Sequence, residues 1–328
     1  MIRLEWLFFV LSLFFMLGLG NSLILKNKVD NIRGGVPVES IEYPYLAHIF
    51  IRDYPSCGAS ILDSDWIITA AHCLFTSSKA QPVDFEEVKV VVGNTPSGLI
   101  NPINIRGYMI NPNFRLDTYS NDIALIQLKT SLTFNSTVQS VVIGEDILEP
   151  YQSLVALGWG QTELEETSER LQAVGLHTSP LAQCHSQIPA FHDHNGQFIC
   201  TDFVLGKDTC PGDSGGPLIR LDEENIHNRM DKLMGITSFG VNLIRNQQGG
   251  KCGENPSLGY YTRVSTHLDF IESVTGMSKD ELVGLVPKES TMKLSKLQTS
   301  WGHGQSQKGS TPLLTILTIW ISLVLSYR

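Results

Sequence analysis

Apolar residues in the middle of this chain come in short runs, not at helical spacing. Tyr45–Ile51, Ser60–Thr69, Val88–Val92, Ile123–Leu128, Leu154–Gly158 and Leu233–Ser238 are rich in Val, Ile and Leu, and turns of Gly, Pro, Asn and Ser separate them. Many short strands with polar turns predict an all-β sandwich or barrel. One stretch departs from this pattern. Val264, Leu268 and Ile271 recur at helical spacing, which predicts a closing helix over Val264–Val274, with Gly276 ending it.

The two ends of the sequence carry a different pattern. Met1–Gly20 places Arg3 before an uncharged run, Trp6–Leu19, with small residues at Gly18, Gly20 and Ser22. That arrangement predicts a secretory signal over residues 1–20; an uncleaved anchor helix is the alternative, although 14 residues are short for a membrane span. Residues 21–31 would be a short pro-segment. Met277–Thr311 is rich in Ser, Lys, Gln and Gly and predicts a flexible stalk. Residues 312–328 hold a second uncharged run, Pro312–Leu325, preceded by the small residues Ser300, Gly302, Gly304 and Ser306. This suits a GPI-attachment signal, with a single-pass C-terminal anchor or an unused hydrophobic end as alternatives. The expected location is the secretory pathway and then the extracellular face of the cell membrane.

Composition narrows the partners. A net charge of −9 argues against nucleic acid, because phosphate binding needs basic surface. Apolar residues are 42% of the chain and charged residues 17%, enough for a large core and unlike a disordered chain. Six cysteines, at Cys57, Cys73, Cys184, Cys200, Cys210 and Cys252, permit about 15 disulfide pairings. No C-x-x-C pair is present to suggest zinc ligation. Disulfides and the sequon Asn135-Ser136-Thr137, which marks Asn135 for glycosylation, agree with secretion. Phe191-His192-Asp193-His194 has the residue types of a metal site but is expected to be a solvated loop, and the shortness of the loop after Gly93 predicts no calcium site. Leu221–Lys232 and Gln161–Glu169 are expected to be solvated polar loops.

Three short words carry chemistry. Asp208-Thr209-Cys210-Pro211-Gly212-Asp213-Ser214-Gly215-Gly216-Pro217 sets a serine among glycines with an acid before it. Glycines let the backbone approach a substrate carbonyl and aim N–H groups at it. A serine hydroxyl is a weak nucleophile until a base and an orienting acid act on it. Thr69-Ala70-Ala71-His72-Cys73 offers a base and Asn121-Asp122-Ile123-Ala124-Leu125 an acid.

In these words, in their His, Asp, Ser order, the sequence resembles the trypsin/chymotrypsin-like serine proteases from about Ile32 to Gly276. The hydrophobic tail is similar to the membrane-anchored, testisin-like type. The resemblance implies two six-stranded antiparallel β-barrels with a C-terminal helix, over residues 32–276. It also implies a Ser-His-Asp mechanism without a cofactor or metal. His72 would be the base, Asp122 its orienting acid and Ser214 the nucleophile. Gly212 and Ser214 N–H groups would form the oxyanion hole, and Ser238 would support Asp122 beside the substrate pocket. Asp208 would sit at the bottom of the primary pocket and pair with substrate Arg or Lys, with Gly240 and Gly259 keeping the pocket open. Gly158-Trp159-Gly160 matches a landmark of the second barrel. Three disulfides are implied: Cys57–Cys73, Cys184–Cys200 and Cys210–Cys252. The new terminus made by activation would be Ile32, pairing with Asp213.

The chain departs from the family at several points. Asn31 stands where a basic residue normally precedes the cut, and Arg33 replaces a valine. Phe239 replaces a tryptophan and Leu258 a common proline. The implied partners are peptides or proteins with Arg or Lys, serine protease inhibitors, an activating protease, and the membrane through the tail. The reading from a different class is a zymogen-like binding or adhesion protein that retains the fold. The intact set of His72, Asp122, Ser214 and Asp208 favours an enzyme, and the Asn31-Ile32-Arg33 junction favours the alternative.

Overall fold

The computed structural model describes residues 36–76, 81–93, 100–160, 168, 170–202, 209, 212–222, 230–243 and 256–286. After the two-residue strand β1 (Val36–Pro37), six strands follow: β2 (Leu46–Ile51), β3 (Tyr54–Ile61), β4 (Trp66–Thr69), β5 (Val88–Val92), β6 (Ile103–Ile110) and β7 (Ala124–Leu128). They close into an antiparallel barrel in the order β2-β3-β4-β7-β6-β5. Closure removes exposed strand edges, and side chains such as Ile49, Ile61, Ile67 and Val90 fill the interior with no exposure. Each such residue contributes roughly 1.5–3 kcal/mol by leaving water.

The second half holds β8 (Val142–Ile143), β9 (Ser153–Gly158), β10 (Gln172–His177), α1 (Leu181–Gln187), β11 (Phe198–Thr201), β12 (Pro217–Arg220), β13 (Lys232–Asn242) and β14 (Ser257–Arg263). The strand path β10-β9-β12-β13-β14-β11 has six members, with β1 paired outside β10 and β8 paired in parallel to β13. An antiparallel bridge, Thr178↔Thr201, joins the two ends of that path. Two backbone bonds support it, Ser179 N–H to Cys200 O and Asp202 N–H to His177 O, both 2.9 Å. Leu154, Val174, Leu176, Ile199, Leu218, Met234 and Tyr261 pack together inside. This is the chymotrypsin-like architecture: a mostly β fold with few helices and a short helix at its end. The helix α2 (Leu268–Thr275) ends at Gly276 in the left-handed conformation, and α3 (Lys279–Leu282) follows with a Ser278–Glu281 capping box.

The structure changes four expectations. Ser60–Thr69 is not one strand. Asp63 Oδ1 accepts the N–H groups of Asp65 and Trp66 at 2.8 and 2.7 Å, turning the chain and splitting the run into β3 and β4. The closing helix is α-helical from Leu268, because Val264–His267 forms a 3-10 turn first. His194 is not solvated but fully buried. Its Nδ1 accepts from Cys200 N–H at 3.3 Å and its Nε2–H donates to Ser179 O at 2.8 Å, so both ring nitrogens hold backbone in place. The base of the Leu221–Lys232 loop is likewise anchored: Asp231 is buried and accepts from Tyr45 OH at 2.8 Å. Residues 223–229 of that loop lie outside the described residues, as does most of Gln161–Glu169.

Candidate active site

His72 lies in a 3-10 turn, Ala71–Leu74, directly after β4. The Cys57–Cys73 disulfide ties that turn to β3. Asp122 precedes β7, the neighbour of β4 in the barrel, so strand pairing brings acid and imidazole together. Asp122 is fully buried, and it receives three donors. Oδ1 accepts the His72 backbone N–H at 2.8 Å. Oδ2 accepts His72 Nδ1–H at 2.7 Å and Ser238 Oγ–H at 2.5 Å. A carboxylate can only accept, so Nδ1 carries the proton and Nε2 is left with a lone pair. A buried carboxylate needs such donors, since an unpaired charge away from water is costly.

The chain reaches this position under strain. Tyr119 and Asn121 both have φ of 54°, the left-handed region. Asn adopts it readily and anchors itself through Nδ2–H to Asn113 O at 3.0 Å, whereas a tyrosine there is uncommon. Tyr119 meets the His72 ring edge-on at 5.5 Å and lies 5.3 Å from Phe239, which stacks on Tyr260 at 5.0 Å. An aromatic row thus walls one side of His72.

Ser214 comes from the second half of the fold, in the turn before β12. Gly58 N–H donates to Ser214 O at 2.8 Å, and Gly215 N–H donates to Thr237 O at 2.8 Å, locking the turn between both barrels. Gly215 has φ of 77°, and a side chain there would meet Thr69 Oγ1 and Gly58 O within 2.5 Å, so no larger residue fits. Gly212 has φ of 100°, also open to glycine. Its N–H and that of Ser214 donate to no acceptor among the described residues. Asp213 between them is buried, and its Oδ1 accepts Gly160 N–H at 2.8 Å. Gly158 and Gly160 press on that carboxylate so closely that a β-carbon on either would lie 2.4 Å or less from it.

Ser214 and His72 line a common groove of about 780 Å³. No hydrogen bond joins Ser214 Oγ to His72 among the described residues; such bonds tighten when substrate binds. Cys73 Sγ is 3.9 Å from His72 Nε2, but the sulfur is bonded to Cys57 and offers no thiolate to a metal. Gly240 and Gly259 face each other across β13 and β14. Cys184 and Cys200 are bonded, joining α1 to β11. Asn135 is exposed in a turn in which its Oδ1 accepts Thr137 N–H at 2.8 Å and Thr137 Oγ–H at 2.9 Å. Asn31, Ile32, Asp208, Cys210 and Cys252 lie outside the described residues.

A half-buried serine turn with two undonated N–H groups, sharing a groove with an imidazole oriented by a buried carboxylate, agrees with comparison to known proteins. The family model Trypsin matches residues 32–271. The chain belongs to the trypsin family. It is similar to a trypsin of Phaedon cochleariae, with 30% identity covering 74% of this chain and 88% of that protein. It is also similar to clotting factor C of Tachypleus tridentatus, with 32% identity covering 73% of this chain and 25% of that protein. A third relative is transmembrane protease serine 11G of Mus musculus, with 26% identity covering 76% of this chain and 56% of that protein. The chain thus spans about a quarter to just over half of the latter two.

Sequence reasoning missed Tyr119 and the aromatic row, because a tyrosine in a polar loop carries no pattern. It also missed His48, which is buried and stacks on Trp159 at 4.8 Å with 3° between the ring planes. Burial pushes the His48 imidazole down to about 4. His48 sits in the YLAHIFI run, where it reads as one polar residue among strand formers.

Proposed function

We propose that this trypsin-family protein is a serine endopeptidase at the extracellular face of the cell membrane that hydrolyses peptide bonds after Arg or Lys. The observation that carries the reading is the set of contacts on His72. Its Nδ1–H is held by Asp122, so Nε2 is the atom able to take a proton in the groove it shares with Ser214. In this reading Ser214 Oγ attacks the substrate carbonyl as His72 Nε2 takes its proton. Asp122 stabilises the imidazolium, and the free N–H groups of Gly212 and Ser214 receive the oxyanion. His72 then gives the proton to the leaving amine, and water repeats the sequence on the acyl-enzyme. Losing one oxyanion donor typically costs about 100–1000-fold in rate.

Preference for Arg or Lys rests on Asp208, six residues before Ser214, and on the opposed glycines Gly240 and Gly259. A carboxylate in a pocket matches a guanidinium or ammonium group. Surface anchoring rests on the uncharged run Pro312–Leu325 and on the small residues before it. Paired cysteines suit that compartment. Asn135 is the proposed glycan site and Ile32 the activated terminus that would pair with Asp213. The direct test is hydrolysis of peptide esters carrying Arg, Lys, Phe or Ala at the cleaved bond. Wild type should prefer Arg and Lys, and Asp208→Ser should lose that preference; retention would refute the pocket assignment.

A second reading is favoured by Asn31 at the activation junction: the protein remains zymogen-like and acts by binding. Mapping the amino terminus of the mature surface protein separates the two. A chain starting at Ile32 supports the enzyme, and one starting before it supports the binding module.

A further inference from the structure

The groove that holds His72 and Ser214 does not stop at the catalytic residues. It runs along the first barrel, past the Cys57–Cys73 disulfide, to Tyr54, Arg52, Glu87 and Asp84. Two elements build its far end. One is the tip of the β2–β3 hairpin, a two-residue turn in which Arg52 and Asp53 both have positive φ, 54° and 67°. The other is the 3-10 turn Phe85–Glu87, which Asp84 caps by accepting Glu86 N–H at 3.0 Å. Arg52 N–H donates to Glu87 O at 2.9 Å, so the tip is fastened to that turn and the groove wall is fixed.

Charge at this end is not balanced. Arg52 Nε meets Glu87 Oε2 at 2.8 Å, and Lys89 Nζ meets Asp53 Oδ1 at 2.6 Å. Those two pairs neutralise each other. Asp84 and the neighbouring Glu86 pair with no cation among the described residues, and Asp84 is the one that lines the groove. The Asp84 charge reaches far enough into this region to help hold the Tyr108 hydroxyl above its usual range, after burial, the larger cause. Tyr54 lines the same groove with 74% of its surface exposed, a ring face available to a cation.

The direction of a substrate through the site follows from the chemistry, granted the reading of the active site above. The acyl half lies toward β13 and β14, where Gly240 and Gly259 are. The leaving amine receives its proton from His72 Nε2, and so lies on the first-barrel side. We propose that the far end of this groove, with Asp84 as its charged group and Tyr54 as its flank, selects a cationic side chain on the leaving side of the substrate, beyond the first residue after the cleaved bond. The substrate class is therefore a polypeptide with basic residues on both sides of the cut: Arg or Lys before it, and a second Lys or Arg after it.

The test uses internally quenched peptides with a common acyl half ending in Arg, and Lys, Ala or Glu at the second and third positions after the bond. The full-length protein should cleave the Lys peptide about two- to fivefold faster in kcat/KM than the Ala peptide, and the Glu peptide slowest, with the spread shrinking in high salt. Asp84→Asn keeps the cap, since Asn and Asp cap equally well, and should bring Lys and Ala to near equality while cleavage of the Ala peptide is unchanged. Asp84→Lys should reverse the order. Equal cleavage of all three peptides by wild type, or a Lys preference that survives Asp84→Asn, would overturn this inference while leaving the enzyme reading intact. Cleavage of none, together with no labelling of Ser214 by a fluorophosphonate, would overturn both.

Discussion

Asp122→Asn isolates the role of one atom pair. Asp122 presents two acceptor oxygens to three donors: the His72 backbone N–H on Oδ1, and His72 Nδ1–H and Ser238 Oγ–H on Oδ2. An asparagine replaces one oxygen with an NH2 group. Placed at the Oδ1 position, the NH2 would oppose a backbone N–H at 2.8 Å, a donor against a donor that cannot rotate away. Placed at the Oδ2 position, it can donate to both neighbours, because the Ser238 hydroxyl can turn and the imidazole can change tautomer. The second orientation wins. Its consequence is a proton on His72 Nε2, the atom that accepts one from Ser214 in the proposed mechanism. The fold keeps its hydrogen bonds, so Tm should change by no more than a few degrees. Turnover should fall about 10⁴-fold, as expected when the base is held in the wrong tautomer. The assay is kcat/KM on an Arg peptide ester, with Tm by calorimetry on the same sample. A loss below about 100-fold with unchanged Tm would refute the reasoning, because the carboxylate would then not be setting the tautomer.

Two further perturbations bear on the scaffold beneath the site. Gly160→Ala places a β-carbon 2.4 Å from the Asp213 carboxylate, so the serine turn must shift; fluorophosphonate labelling should be lost, with a stability cost of about 1–3 kcal/mol seen in denaturant unfolding, and normal labelling would contradict the packing described. Burial holds His48 down to about 4 from an ordinary value of 6.5, so the unfolded chain binds its proton first as pH falls. Stability from this group is whole above pH 6.5 and lost progressively between 6.5 and 4, to a total of about 3 kcal/mol. His48→Phe should keep the stack on Trp159 and flatten the fall in Tm between pH 7 and pH 5; an unchanged slope would show that His48 does not carry it.

Much of the site was legible because its chemistry needs particular residues next to each other in sequence. The turn around Ser214 needs glycines at 212 and 215 for its backbone, and those are visible as letters. Val88–Val92 was legible to the residue, since four valines in five positions, broken only by Lys89, favour a strand. The break in Ser60–Thr69 was not, because apolar residues flank it and the signal is a single Asp63 side chain capping a turn. His194 read as solvated because its burial depends on backbone partners at Ser179 and Cys200, which residue types alone do not signal. Tyr119 and His48 were silent for the same reason: each acquires its place from a ring that only folding brings near.

The proposed function stands or falls with Ser214 as an activated nucleophile in the mature protein. Fluorophosphonate labelling of the full-length protein from its native source, with Ser214→Ala as control, reads this out. Wild type should be labelled and the variant not, with hydrolysis in the variant reduced about a millionfold. Absence of labelling on folded wild type, or equal labelling of Ser214→Ala, would show that Ser214 is not activated.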